Sequence, residues 1–158
     1  MDYLVLKWLH ILSSTLLFGT GIGSAFYLLV ATLGRDARTV AAVGGWVVLA
    51  DTLFTLTTAV LQPLTGWAMV RMAGMAWSQP WLAWSVALYA LAIGCWLPVV
   101  WIQVRLRDEA RACAAQGTRL SGPYWRLFGA WVALGVVAFA AFLVIFWLMV
   151  SKQVPWAG

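Results

Sequence analysis

Long apolar stretches dominate the pattern of hydrophobic and polar positions along this chain. Four stretches contain no Asp, Glu, Lys or Arg, and they cover residues 8–33, 52–70, 72–104 and 127–151. Each is close to or longer than the roughly 20 residues with which an α-helix crosses the hydrocarbon core of a bilayer. The pattern therefore predicts an all-α integral membrane protein that folds as a bundle of four transmembrane helices.

The polar residues around these stretches set the expected bounds of the helices. The loop between the third and fourth spans is the largest connection, and its first part, from Arg105 to Ala115, is expected to continue the third span as a helix that stops near Gly117. The expected spans cover about 4–33, 43–72, 81–105 and 124–150, with a loop over about 106–123, in a single membrane domain of residues 1–158.

The composition excludes a water-soluble protein. Charged residues make up only 9% of the 158 residues, whereas a soluble domain contains roughly 25%. A formal net charge of +5 would suggest nucleic acid in a soluble protein, but here the basic residues lie between the spans, where they report orientation. The lipid bilayer is therefore the expected partner and nucleic acid is not. Another membrane protein or a second copy of the chain stays open as a further partner.

The basic residues are distributed unevenly between the two membrane faces. Only Lys7, Arg71 and Lys152 lie on one side, and seven arginines lie in or beside the first and third connections. Cytoplasmic loops carry the excess of Lys and Arg, so we expect both termini to be periplasmic in a multi-pass protein of the bacterial inner membrane. The seven arginines are Arg35, Arg38, Arg105, Arg107, Arg111, Arg119 and Arg126.

A polar stripe follows one face of the second span at steps of three and four residues. Lipid offers hydroxyl and amide groups no partners, so the stripe is expected to face other helices. An acidic side chain there costs about 2.5 to 3.5 kcal/mol on insertion scales, which leaves two interpretations of Asp51: a structural ion pair with Arg126 or Arg105, or a role in handling a proton or ligand. The stripe comprises Asp51, Thr55, Thr58, Gln62 and Thr65.

Proline interrupts the same span beside Gln62. Pro63 has no backbone N–H, so a carbonyl about one turn earlier loses its helical partner. We expect a kink there and a free backbone acceptor.

The single histidine of the chain lies near the expected periplasmic end of the first span. His10 has Lys7 one turn outward, and Met69, Met72 and Met149 are expected in the same third of the membrane. Imidazole and thioether groups suit Cu(I) and also ligate haem. These five residues are therefore candidates for binding haem b or copper, with His10, Met69 and Met72 as metal ligands. The alternative is a hydrogen-bonded histidine beside a packed methionine cluster.

Other chemistry finds little support in the sequence. One histidine excludes a bis-histidine haem within the chain, and there is no C-x-x-C motif, phosphate-binding loop or nucleophile elbow. We predict no catalytic residue, and we do not expect an enzyme.

Four runs of residues carry a resemblance to a known family. They are Leu6–Ser14, Phe18–Gly23, Gln62–Gly66 and Cys95–Trp101, and together they resemble the bacterial integral-membrane family of domain of unknown function 2269 (DUF2269). More distantly, Lys7-x-x-His10 followed by Phe18-Gly19 is similar to copper-resistance D-like proteins and HemJ-type protoporphyrinogen oxidases. That similarity implies copper or haem, with His10 as ligand or redox-site residue and Lys7 as its neighbour.

Three functions stay open at this point. The first is a structural or assembly subunit whose polar stripes hold helices together, which the sequence favours. The second is a haem- or copper-binding protein that uses His10 near the periplasmic face. The third is a small carrier or proton conductor that uses Asp51 and the threonine stripe.

Overall fold

The computed structural model describes residues 2–154, and they form four long helices that are long and apolar enough to cross a membrane. The predicted all-helical architecture with four spans is confirmed. The second of these helices is continuous but contains a π-helical turn, so we number its two α-helical parts separately. The elements are α1 (Tyr3–Leu33), α2 (Ala37–Ala50), the π-turn (Asp51–Thr55), α3 (Leu56–Met72), α4 (Pro80–Ala115) and α5 (Gly122–Ser151).

One observed bound differs from the prediction, and the expected helical extension of the third span is confirmed. The second span begins at Ala37 instead of near residue 43, because the Asp36 carboxylate caps α2 by accepting hydrogen bonds from the amide and hydroxyl of Thr39, at 2.9 and 2.6 Å. The hydroxyl bond, with the amide bond, holds the pKa of Asp36 below its ordinary value. α4 continues to Ala115, which reduces the expected loop to a short connection, and Gly117 follows it with a positive φ of 64°.

The early start of α2 changes the depth of Asp51. The 14 residues of α2 rise about 21 Å at 1.5 Å per residue. Asp51 therefore lies near the middle of its span. The expected start near residue 43 would have placed it only about two turns from the arginine-rich end.

The main core lies at the arginine-rich end of the bundle. There α4 packs along both α5 and α2, and Leu28, Val40, Leu106 and Tyr124 are almost completely buried. The Tyr124 hydroxyl lies 2.7 Å from the Thr32 hydroxyl, which satisfies both polar groups inside this core. The bundle is therefore closed at this end.

The opposite end of the bundle contains a smaller core. α3 packs against α1, while a small cluster joins the beginning of α4 to the end of α5 through Trp81, Leu82 and Leu148, with Val70 of α3. α1 makes only a small contact with α5. A gap between α1 and α5 therefore faces the lipid.

One polar contact links α3 to α4. The Ala59 carbonyl is the acceptor that Pro63 leaves without a helical N–H, and the Tyr89 hydroxyl donates to it at 2.6 Å. The free carbonyl expected from the sequence is thus present, and α4 supplies its partner.

Candidate intramembrane binding site

A cavity of about 380 Å³ lies between α1, the π-turn, α4 and α5. Its walls are apolar and partly aromatic, with Phe18 and Phe26 from α1 and Phe139 from α5. Phe18 stacks on Phe139 with ring centroids 5.7 Å apart. The cavity volume lies within the range of small-molecule sites, which are mostly apolar with a few placed polar groups.

The polar groups of the cavity gather around the π-turn. Asp51 is only 4% exposed, and its carboxylate accepts a hydrogen bond of 2.8 Å from the Thr55 hydroxyl. The side chains of Gln103 and Ser24 also interact with this carboxylate. All four residues line the cavity, so α1, the π-turn and α4 each contribute to one polar patch.

The π-turn itself brings Thr55 over Asp51. The amide of Leu56 bonds to the Asp51 carbonyl five residues earlier, which defines the wider turn. Such single π-turns are often found at functional sites because they re-aim side chains within an α-helix. Here Asp51 and Thr55 are buried, whereas the third polar residue of the turn, Thr52, is exposed.

Three buried polar atoms that belong to lining residues of the cavity have no hydrogen-bond partner among residues 2–154. They are Oε1 of Gln103 and the indole nitrogens Nε1 of Trp96 and Trp131. A buried polar group without a partner costs about 1 to 3 kcal/mol, so such groups are uncommon in native proteins. The residues around the cavity therefore carry two unused donors and one unused acceptor.

The predicted ion pair of Asp51 with Arg126 or Arg105 is absent within the described residues. The ion pairs found there are those of Asp108 with Arg107 and Arg111, and Arg105 lies over the Trp101 ring at 5.2 Å instead. The physical reason differs for the two arginines. Arg105 lies only two residues from Gln103 but on the opposite, exposed side of α4, whereas Arg126 lies in the first turns of α5, and Asp51 lies about 21 Å along its helix from that face.

The rest of the polar stripe is divided between two environments. The hydroxyls of Thr58 and Thr65 donate to carbonyls of their own helix one turn earlier, which satisfies them without another helix. The buried Oε1 of Gln62 has no partner in the part of the chain that the structure describes. Only Thr55 of the four polar residues after Asp51 contributes to the cavity.

His10 lies in a close contact between α1 and α3. Its Nδ1 is 2.7 Å from the Thr65 hydroxyl, and a Cβ added at Gly66 would lie 3.3 Å from its Cε1. Because the single hydroxyl proton of Thr65 is used on the Leu61 carbonyl, we assign the imidazole Nδ1–H as the donor to Thr65. This arrangement matches the hydrogen-bonded packing histidine that was the alternative to a ligand.

The methionines of the predicted copper or haem site differ in their surroundings. Met149 packs in the cluster of Leu148, Met72 is 52% exposed, and Met69 is only partly buried. Groups of three or more His, Cys, Asp or Glu side chains suited to a metal are absent from residues 2–154. Methionine and lysine are not among these residue types, so the haem or copper site at His10 stays a prediction.

Two lysines lie near the same end of the bundle. Lys7 is exposed, and Lys152 places its Nζ 3.8 Å from the centroid of the Trp81 ring. Partial loss of hydration, together with the nearby charge of Lys7, lowers the pKa of Lys152. Lys7 thus acts on Lys152 through its charge.

Comparison with known proteins gives one match. The chain matches the family model described as "Predicted integral membrane protein (DUF2269)" over residues 4–153. It belongs to the DUF2269 family. No curated protein and no solved structure matches the chain, so the more distant similarity to copper-resistance D-like and HemJ-type proteins is not shown.

Several residues of the cavity in this DUF2269 protein were missed by sequence reasoning. Gln103 is a lone amide near the end of an uncharged stretch, and that was the one signal available for it. Ser24, Trp96 and Trp131 resemble ordinary packing or interfacial residues in sequence. Their role depends on which helices meet, which a single sequence does not contain.

Proposed function

We propose that this DUF2269 protein binds, inside the bilayer, a lipid-soluble molecule that has a long apolar body and one hydroxyl group. The observation that carries the proposal is a set of unused polar atoms on residues that line an otherwise apolar cavity, Oε1 of Gln103 and Nε1 of Trp96 and Trp131. The protein would act as a binding protein or carrier for that molecule. This develops the interpretation in which Asp51 serves a ligand.

The polar atoms favour a hydroxyl over other groups. A hydroxyl both donates and accepts, so it can accept from an indole N–H and donate to the Gln103 oxygen or the Asp51 carboxylate. An alkane leaves all three atoms unpaired, and each unpaired buried group costs free energy. Affinity should therefore depend on the hydroxyl as well as on the apolar body.

The gap between α1 and α5 supports entry from the lipid. Phe26 and Val136 line the cavity from these two helices and are 60% and 61% exposed. Large apolar side chains at this position face acyl chains, so a lipid-soluble molecule meets no polar barrier on its way in. The expected ligand therefore reaches the site sideways, from within the membrane.

A photoreactive long-chain alcohol and the matching alkane without the hydroxyl test this proposal. Both carry a diazirine at the same carbon and are added to the protein in lipid vesicles, and labelled peptides are identified by mass spectrometry. We expect the alcohol to label α4 and α5 peptides of the cavity. Gln103→Leu should reduce alcohol labelling about tenfold, the equivalent of one good hydrogen bond, and leave alkane labelling unchanged.

Two glycines on α5 provide a cavity-filling variant and its control. Gly135 lines the cavity and Gly129 does not, and a Cβ added at either meets no atom within 4 Å. Gly135→Leu should abolish labelling of the cavity peptides by the alcohol, while Gly129→Leu should not. Equal labelling by alcohol and alkane in the wild type, or equal labelling of both leucine variants, would overturn the proposal.

We also propose that the protein lies in a bacterial inner membrane with both termini in the periplasm. The support is the excess of arginine in the first and third connections, since cytoplasmic loops carry this excess. Alkaline phosphatase fused after Gly158 should be active, and the same enzyme fused after Gly117 should be inactive. The reverse result would contradict the orientation and leave the cavity proposal untouched.

A further inference from the structure

A second cavity, of about 480 Å³, lies at the arginine-rich end of the bundle, apart from the site around Asp51. Its lining comes from the turn between α1 and α2 and from the beginning of α5 with the segment before it. Two cations and two apolar side chains form the lining, namely Arg35, Arg119, Leu120 and Trp125.

The turn geometry holds the first cation in place. Arg35 has a positive φ of 58°, a conformation that costs an L-residue other than glycine or asparagine free energy. Its guanidinium carbon lies 5.8 Å from the centroid of the Trp125 ring, within the range of a cation–π contact. The guanidinium is thereby kept against the wall of the cavity.

The second cation follows the end of α4. Arg119 lies in the irregular segment after Gly117, and the next residue, Leu120, is buried in the main core. Anchoring of Leu120 fixes the segment, so Arg119 is presented beside the same cavity. Two elements that are far apart in sequence therefore bring two guanidinium groups to one place.

The five carboxylates of the chain are all engaged elsewhere. None forms an ion pair with Arg35 or Arg119 within the described residues. Two of them cap helices, one lies in the Asp51 cavity, one pairs with other arginines, and one accepts a hydrogen bond from a serine. These are Asp2 on Leu4, Asp36 on Thr39, Asp51, Asp108 with Arg107 and Arg111, and Glu109 with Ser121.

We infer that Arg35 and Arg119 bind a phosphate group, with Leu120 and Trp125 beside it. Guanidinium groups bind phosphate in a bidentate manner that lysine does not reproduce. Two unpaired guanidinium groups at one cavity match the charge of a phosphate, and the apolar residues can contact the glycerol or upper acyl part of a phospholipid. Two sources supply such a phosphate, an anionic phospholipid head group and a soluble phosphate, and the test distinguishes them.

Native mass spectrometry of the full chain in detergent provides the test. Dioleoyl phosphatidylglycerol and dioleoyl phosphatidylcholine are titrated separately, and the first is repeated with inorganic phosphate as competitor. We expect phosphatidylglycerol to bind. Displacement by millimolar phosphate would identify soluble phosphate as the preferred form, while lack of displacement would identify the lipid head group.

Three single variants separate the site from the general charge of this face. Arg119→Gln and Arg35→Gln should each weaken phosphatidylglycerol binding about tenfold, which corresponds to one charge-assisted contact. Arg38 lies close to the same turn, at the beginning of α2, but it does not line the cavity. Arg38→Gln removes the same charge and should change binding less than about twofold. Arg119→Lys should bind more weakly than the wild type because it loses the bidentate contact.

Two results would overturn the inference. One is an equal loss of binding in Arg38→Gln and Arg119→Gln, which would show only a general attraction of lipid to a basic surface. The other is unchanged binding in Arg119→Gln and Arg35→Gln. Arg119 makes no hydrogen bond or ion pair within the described residues, so Arg119→Gln should keep the elution volume and melting temperature of the wild type, and its result stands even if Arg35→Gln is unstable.

Discussion

His10 and Asp51 are both ionisable side chains within membrane spans, yet their surroundings are opposite. The imidazole of His10 has a hydroxyl partner in Thr65 and lies against Gly66, where two helices approach closely. Asp51 also has a partner in Thr55, but it borders a cavity in which three further polar atoms have none. The first is a packing contact and the second has the features of a binding site.

The comparison shows that an ionisable residue in a span is not by itself a sign of function. The default expectation treats both residues as functional candidates. What separates them is the state of the neighbouring polar groups and the space around them. Polar groups that are hydrogen-bonded and closely packed stabilise the fold. Polar groups that lack partners beside a cavity are available to bind a ligand.

Gly66→Leu should have the largest effect of these variants, because it acts on a close contact between two helices. A Cβ at Gly66 already comes within 3.3 Å of His10, so a larger side chain must push α1 and α3 apart, at a cost of about 3 kcal/mol. Gly94→Leu is the control, since a Cβ there meets no atom within 4 Å. Thermal unfolding in detergent measures both, and equal melting temperatures would contradict the close packing.

His10→Ala should destabilise the protein by about 2 kcal/mol, through the lost hydrogen bond to Thr65 and the space left between α1 and α3. Labelling by the photoreactive alcohol should stay unchanged, because His10 does not line the cavity. Metal and haem content of the purified wild type and the variant gives an independent check. Copper or haem that is present in the wild type and lost from the variant would contradict the assignment of His10 as a packing residue.

Tyr89→Phe should cost about 1 kcal/mol, because it leaves the Ala59 carbonyl without a partner. This variant tests how α3, the helix against which His10 of α1 packs, is attached to α4. In a Pro63→Ala background, position 63 regains its N–H and can satisfy the same carbonyl. The cost of Tyr89→Phe should then fall, and a cost that is equal in both backgrounds would contradict this account.

Lys152→Met should have the smallest effect, visible as a change in pH dependence. The pKa of Lys152 is lowered in the folded protein, so between that pKa and the ordinary value of 10.5 the unfolded chain binds more protons. Stability therefore rises with pH in this range. Melting temperatures of wild type and variant across the alkaline range should show this rise only in the wild type, or more steeply there.

The length of the uncharged stretches by itself determined the four spans. A helix must satisfy its own backbone in lipid and needs about 20 apolar residues to cross it, so this part of the fold depends on local sequence alone. The free carbonyl before Pro63 is equally local, because it follows from one missing N–H. The sequence also identified Asp51 and His10 as unusual residues, because each is an ionisable side chain within an apolar span.

Tertiary structure decided the partners of these residues. The spacing of the polar stripe gives the face of a helix, but it does not give the residues on other helices that meet this face. Gln103 and Ser24 reach Asp51 only because α4 and α1 pack beside the π-turn, and that turn has no signature in composition or periodicity. Asp51 and His10 therefore look alike in sequence, and the space and unpaired groups that distinguish them arise only when the helices pack.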